Sequence, residues 1–150
     1  MKQNQISNFA LVLVAILLLQ MDYAKAALSM KQFEKTLQMF RNACLPKTGA
    51  SVEAVDALKI GTFPDDDKPL KCYVLCVIDM TGVLSRKKEF IESKMETQAR
   101  VILPPELQEF ALNGWDSCRT VPKQYKDPCD RVYYTVKCTH GTNPSKFTFA

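Results

Sequence analysis

The sequence holds one histidine, five glycines and eight prolines in 150 residues. It has a single apolar run of any length, Phe9 to Leu19. Each scarcity excludes something. So little glycine and proline in a chain that is 47% hydrophobic excludes collagen, and the apolar content excludes a disordered chain. There is no Gly-rich phosphate loop and no G-x-S-x-G string, so neither a phosphate cradle nor a hydrolase nucleophile can be assigned. Charge leans only slightly, with 20 Lys and Arg against 16 Asp and Glu, a formal +4. The basic residues are interleaved with acids, as in Lys87-Lys88-Glu89 and Asp65-Asp66-Asp67-Lys68. Such runs read as solvated faces and loops, and no nucleic-acid partner is expected. Against these scarcities stand six cysteines, an even count that in a small chain points first to an oxidising compartment.

The N-terminus agrees with that compartment. Lys2 is followed by eleven apolar residues, Phe9 to Leu19, and then by Ala24-Lys25-Ala26. A basic start, a short apolar stretch and small residues at a cleavage point form a secretory signal. Eleven residues at about 1.5 Å each cannot cross a hydrocarbon core of roughly 30 Å, and no second run is long enough, so no membrane span is expected. Cleavage after Ala26 is expected to leave a secreted, extracellular domain over 27–150. Loss of Lys2, Asp22 and Lys25 takes the formal charge to +3.

The periodicity of that domain is helical. Leu28 to Ala43 places Met30, Phe33, Leu37 and Phe40 three and four apart, with Pro46 to Gly49 as the break. Ser51 caps a second helix carrying Val52, Val55 and Leu58, which Gly61 ends. Lys68 to Met80 is a dense apolar helix whose first turn holds Pro69 just after an acidic run. Ser85 or a neighbour starts a fourth helix to about Arg100, with Phe90, Ile91 and Met95 on its apolar side. Pro104-Pro105 opens a fifth, carrying Leu107, Phe110, Ala111, Gly114 and Trp115. Asp127-Pro128 reads as N-cap and first helical residue of a sixth, running to about Thr139 with Gly141 as its end. No stretch alternates as a strand and no internal repeat is found. The expected fold is all-α, with six or seven helices in one domain.

The cysteines follow the pattern C-x27-C-x3-C-x41-C-x10-C-x8-C. Six cysteines allow fifteen pairings, and spacing does not choose among them. Cys72 and Cys76 lie about 40° apart on one helix face, whereas Cys129 and Cys138 lie about 180° apart on theirs. The sixth helix must therefore sit between two partners. One economical solution is Cys44–Cys76, Cys72–Cys129 and Cys118–Cys138; others remain open at this point. A structural zinc site would prefer tighter paired spacings, and a secreted chain favours oxidised cysteine. No metal and no cofactor are expected.

This cysteine pattern, with its x3 and x8 gaps, resembles the insect odorant-binding protein family of the six-cysteine, pheromone and general odorant-binding type. The likeness spans essentially the whole domain. Lys47-Thr48-Gly49, Leu70-Lys71-Cys72-Tyr73 and Cys129-Asp130-Arg131 fit it locally. The x41 gap is longer than in many relatives, which places any insertion between Met80 and Pro105. The resemblance implies the interlocked pairing first-to-third, second-to-fifth and fourth-to-sixth: Cys44–Cys76, Cys72–Cys129 and Cys118–Cys138. It also implies helices enclosing an apolar cavity, with the chain end folded over it.

No enzyme is expected. His140, the only histidine, sits near a helix end and reads as a cap on the C-terminal dipole. Secreted phospholipase A2, similar in bulk, needs a His-Asp pair and a Gly-rich calcium loop, and both are missing here. Composition alone favours plain packing of the apolar faces; the resemblance turns them into a ligand wall. The expected contacts are Phe33, Leu37, Val77, Met80, Phe90, Ile91, Met95, Phe110, Ala111, Gly114, Trp115, Tyr134, Phe147 and Phe149. One polar group among Tyr134, Tyr133 and Thr148 would orient the guest. The implied function is a secreted carrier of small hydrophobic odorants or pheromones in sensory lymph. It would act as a monomer or weak homodimer, with contact to an odorant receptor. The alternative is a secreted disulfide-rich effector or a non-olfactory carrier acting through a protein partner.

Overall fold

The computed structural model describes residues 27–150, so the signal-peptide reading of residues 1–26 lies outside the described residues. Among the described residues six α-helices follow one another: α1 Met30–Thr48, α2 Val52–Lys59, α3 Lys68–Met80, α4 Glu92–Ile102, α5 Pro105–Cys118 and α6 Pro128–Thr142. Short 3-10 turns occupy Val121–Gln124 and Pro144–Lys146. The all-α class holds.

Local chemistry places most helix ends. Ser29 and Gln32 close a reciprocal capping box on α1, satisfying two orphan N–H groups at once. Ser51 and Asp67 accept from the backbone N–H groups of Ala54 and Leu70 and so start α2 and α3. Asp127 accepts from Cys129 and Asp130 at the start of α6, with Pro128 as its first residue.

Three boundaries differ from expectation. Pro46 lies inside α1, which ends only where Gly49 turns left-handed at φ 70°; a proline in the last turn forfeits only one ladder bond, and the Thr48 hydroxyl donates to the Cys44 carbonyl at 3.1 Å. Gly141 lies inside α6, which runs on to Thr142 and stops before Pro144. The third difference is the largest. Residues 83–91 are not the start of a helix but a tight loop closed by one antiparallel bridge, Leu84 to Phe90. The Ser85 hydroxyl accepts from the N–H groups of Lys87 and Glu89, each at 3.2 Å, and so caps a turn. Lys88 takes the left-handed φ of 59° inside it. The turn swings Phe90 inward, and α4 begins only at Glu92.

α3 is the central element, packing against α1 on one side and α6 on the other. Leu70, Tyr73, Val74 and Val77 are buried with Cys44, Val55, Leu58, Val132 and Tyr133 in one continuous core. The three disulfides are Cys44–Cys76, Cys72–Cys129 and Cys118–Cys138. Thus α3 is tied to α1 and α6 from two cysteines one turn apart, and α6 is tied on its far side to α5. Lys71, next to Cys72, is buried over the faces of Tyr133 and Tyr134. Burial alone would depress its pKa, but the Tyr134 hydroxyl at 3.2 Å and the Asp130 carboxylate at 3.1 Å outweigh that and leave it raised.

An apolar pocket beneath the chain end

The helices do not close on one another everywhere. They leave a pocket of about 210 Å³. Its wall is built from every helix except α2. Phe33 comes from α1, and Ile78 from the end of α3. Val83 and Phe90 come from the tight loop. Met95, Gln98, Ala99 and Ile102 come from α4, and Leu107, Phe110, Ala111 and Trp115 from α5. Val136 and two threonines of α6, Thr135 and Thr139, complete the wall with Lys146, Phe147, Thr148 and Phe149.

The chain end is docked. Phe147 meets the rings of Phe63 at 5.8 Å and His140 at 4.9 Å. Phe149 lies parallel to Phe147 at 6.0 Å and edge-on to Tyr73 at 6.5 Å. The Tyr73 hydroxyl donates to the backbone oxygen of Ala150 at 2.7 Å, and both residues are buried. His140, read from the sequence as a surface cap, is half-buried between Phe63 and Phe147. Two rings and a buried hydrogen bond thus hold four residues across one side of the pocket.

Burial has an electrostatic consequence at this clamp. The Tyr73 hydroxyl is pushed up from 10.0 to about 12 by desolvation, and Tyr133 is pushed up for the same reason. The fold favours neutral Tyr73, so its contribution to stability is complete below pH 10 and is lost as pH rises toward 12. The difference in ultraviolet titration between the wild type and Tyr73→Phe is expected to show this phenol ionising near pH 12 rather than 10. A step at the ordinary value would mean that the hydroxyl is open to water.

Eight of the fourteen expected wall residues meet in the pocket: Phe33, Phe90, Met95, Phe110, Ala111, Trp115, Phe147 and Phe149. Six do not. Val77 is fully enclosed in the core, and Leu37 packs against that core from α1. Met80 is 40% exposed, its sulfur directed to Cys44. Ile91 is the residue before α4, beyond the wall. Gly114 serves helix packing: a Cβ there would come within 2.5 Å of the Thr139 methyl, so α5 and α6 touch at that point. Tyr134 stacks on Tyr125 at 4.4 Å and takes the Lys71 hydrogen bond instead.

Of the three polar groups expected at the pocket, Thr148 lines it and Tyr133 and Tyr134 do not. Tyr133 donates to the Pro64 carbonyl at 2.7 Å and lies away from the pocket. Thr81, Thr135 and Thr139 donate to carbonyls of their own helices. Gln98 and Thr148 are among the few polar residues of the wall. Gln98, Ala99 and Ile102 follow Met95 at three, four and seven residues. Helical spacing from Met95 therefore signals them, once α4 is known to continue to Ile102.

Among the described residues no helix is long and apolar enough to cross a membrane. All six cysteines are consumed in disulfides. The chain matches the profile of the PBP/GOBP family over residues 26–142. It is similar to general odorant-binding protein 72 of Anopheles gambiae, 32% identical over 123 residues, covering 82% of this chain and 99% of that one. General odorant-binding protein 69a of Drosophila melanogaster is 34% identical over 111 residues, covering 73% of this chain and 70% of that one. Among solved structures, odorant-binding protein 5 of Apis mellifera superposes with a TM-score of 0.73 at 30% identity, covering 83% of this chain and 99% of that one. Odorant-binding protein 4 of Chrysopa pallens does so with a TM-score of 0.73 at 27% identity, covering 82% and 99%.

Proposed function

The chain belongs to the PBP/GOBP family, and from that premise we propose that it is a secreted carrier that reversibly buries one small hydrophobic odorant or pheromone in the pocket beneath its chain end. The observation that carries this reading is the apolar pocket itself, about 210 Å³ and walled by five helices, one loop and the chain end. Pockets for drug-sized ligands start at about 300 Å³, so this one suits a smaller guest. Met95 supplies a flexible, polarizable contact that tolerates different shapes. Gln98 and Thr148 are the groups placed to hydrogen-bond a hydroxyl, carbonyl or ester oxygen on an otherwise apolar guest. Binding is driven by removing apolar surface from water, and release needs only that the guest regain it.

Secretion is supported by the N-terminal pattern and by three disulfides, which persist in oxidising compartments. The carrier works in an aqueous extracellular fluid as a monomer or weak homodimer and hands its guest to a receptor. A carrier needs no nucleophile or base, so the reading is non-enzymatic. An effector working through a protein partner would present a filled core and a continuous exposed apolar patch.

Ala111→Trp tests the reading. Ala111 faces the pocket from α5, and an indole there occupies guest space without disturbing the core around α3. Displacing about two methylenes of guest contact, at about 0.8 kcal/mol each, weakens an apolar fluorescent probe about tenfold. Helicity and thermal midpoint stay close to wild type. Equal probe affinity in both proteins would place the guest elsewhere.

A further inference from the structure

A second depression lies on the other side of two pocket residues. Phe90 and Trp115, with ring centroids 5.0 Å apart, line both the apolar pocket and a neighbouring groove of about 370 Å³. The groove differs in chemistry from the pocket. Arg119, Lys123, Lys126 and Arg131 border it, against only two carboxylates, Glu89 and Glu92. Arg119 is itself paired, with Asp116 at 3.0 Å and Glu92 at 3.8 Å, so the surplus comes from the other three cations. Lys123, Lys126 and Arg131 form no ion pair with a described carboxylate. The Arg131 guanidinium is held rigid by the carbonyls of Tyr125, Lys88 and Lys126, at 3.2, 3.3 and 3.1 Å. Those bonds orient it without neutralising it.

A surplus of positive charge therefore sits one aromatic pair away from an apolar pocket. The geometry points to an amphipathic guest: we propose that the protein takes medium-chain carboxylates, with the alkyl chain in the pocket and the carboxylate in the Arg119–Lys123–Lys126–Arg131 groove. The Phe90 and Trp115 rings part to pass the chain. A bare carboxylate cannot enter the pocket itself, because burying an unpaired charge among apolar side chains is prohibitive. In the groove it stays partly hydrated and gains charge-assisted hydrogen bonds. This inference rests on the pocket being the guest site and extends that reading to the guest's head group.

The test compares octanoate with 1-octanol at pH 7 and low salt, by displacement of an apolar fluorescent probe and by the fluorescence of Trp115, the only tryptophan. Octanoate is expected to bind about tenfold more tightly than 1-octanol, with the preference shrinking as salt screens the exposed cations. The double variant Lys123→Glu and Lys126→Glu loses that preference while keeping its 1-octanol affinity, which also shows that it is folded. Octanoate bound no better than 1-octanol, or a preference untouched by the double variant, overturns the assignment. So does a loss produced by Lys146→Glu instead, which would seat the head group beside the chain end. If neither compound displaces the probe, the pocket reading itself fails, an outcome distinct from all of these.

Discussion

Replacing Cys72 and Cys129 together by serine is expected to lower the unfolding free energy by about 4 kcal/mol. The bridge joins residues 57 apart in sequence, and the entropy that such a link removes from the unfolded chain grows with the logarithm of the loop it closes. The same arithmetic gives about 3 kcal/mol for Cys118–Cys138, separated by 20. The order of the two losses therefore checks the mechanism as well as the size. The position of the bridge adds to its effect. Cys72 and Cys129 join α3 to α6 beside the buried Lys71, whose ammonium is held by Asp130 and Tyr134. Loosening the two helices would admit water to a charge whose burial depends on those partners. Denaturant melts of the two double variants, with the remaining bridges confirmed intact, measure both losses. Equal losses, or a larger one for Cys118–Cys138, would contradict the loop-length argument.

Ending the chain at Lys146 is expected to weaken binding of an apolar probe more than a hundredfold while barely changing stability. Phe147 and Phe149 form one wall of the pocket. If each ring shields about 60 Å² of guest surface, then at about 25 cal/mol per Å² their loss costs about 3 kcal/mol of affinity, roughly two decades in Kd. Stability responds differently because two terms oppose. Burying the two rings contributes about 1.5–3 kcal/mol each, but ordering four residues costs about 1–2 kcal/mol each in backbone entropy. Calorimetry of the truncated protein, with and without probe, separates the two effects. A truncated protein that binds as tightly as the full chain would show that the chain end merely rests on the outside.

The α3 helix was legible at both ends, because Asp67, Pro69 and Thr81-Gly82 are local signals that act through the chain's own backbone. The loop over residues 83–91 was not. Ser85 looks like a helix cap, and its hydroxyl does accept backbone N–H groups, but in a turn rather than at a helix start. Which of the two a serine opens depends on where the following apolar residue is buried, and Phe90 finds its place only against Trp115, a residue of α5.

The pocket divides in the same way. Phe110, Ala111 and Trp115 were legible as one face of α5, while Gly114 on that face turned out to be the contact with Thr139. An apolar stripe spans 100° or more of a helix, wide enough to serve the core with one edge and the pocket with the other. Val77 and Ile78 are adjacent on α3, yet Val77 is buried in the core and Ile78 lines the pocket.

The sequence by itself determined the all-α class, the places where most helices start and the oxidised state of its cysteines. These follow from capping chemistry, period and composition, all of which act over a few residues or over the whole chain at once. Only the tertiary structure decided which apolar side chains face one another and which face a space. It also decided that the chain end closes one side of that space and that four cations gather beside it. Those are properties of how helices far apart in sequence meet, and no local pattern encodes the gap between them.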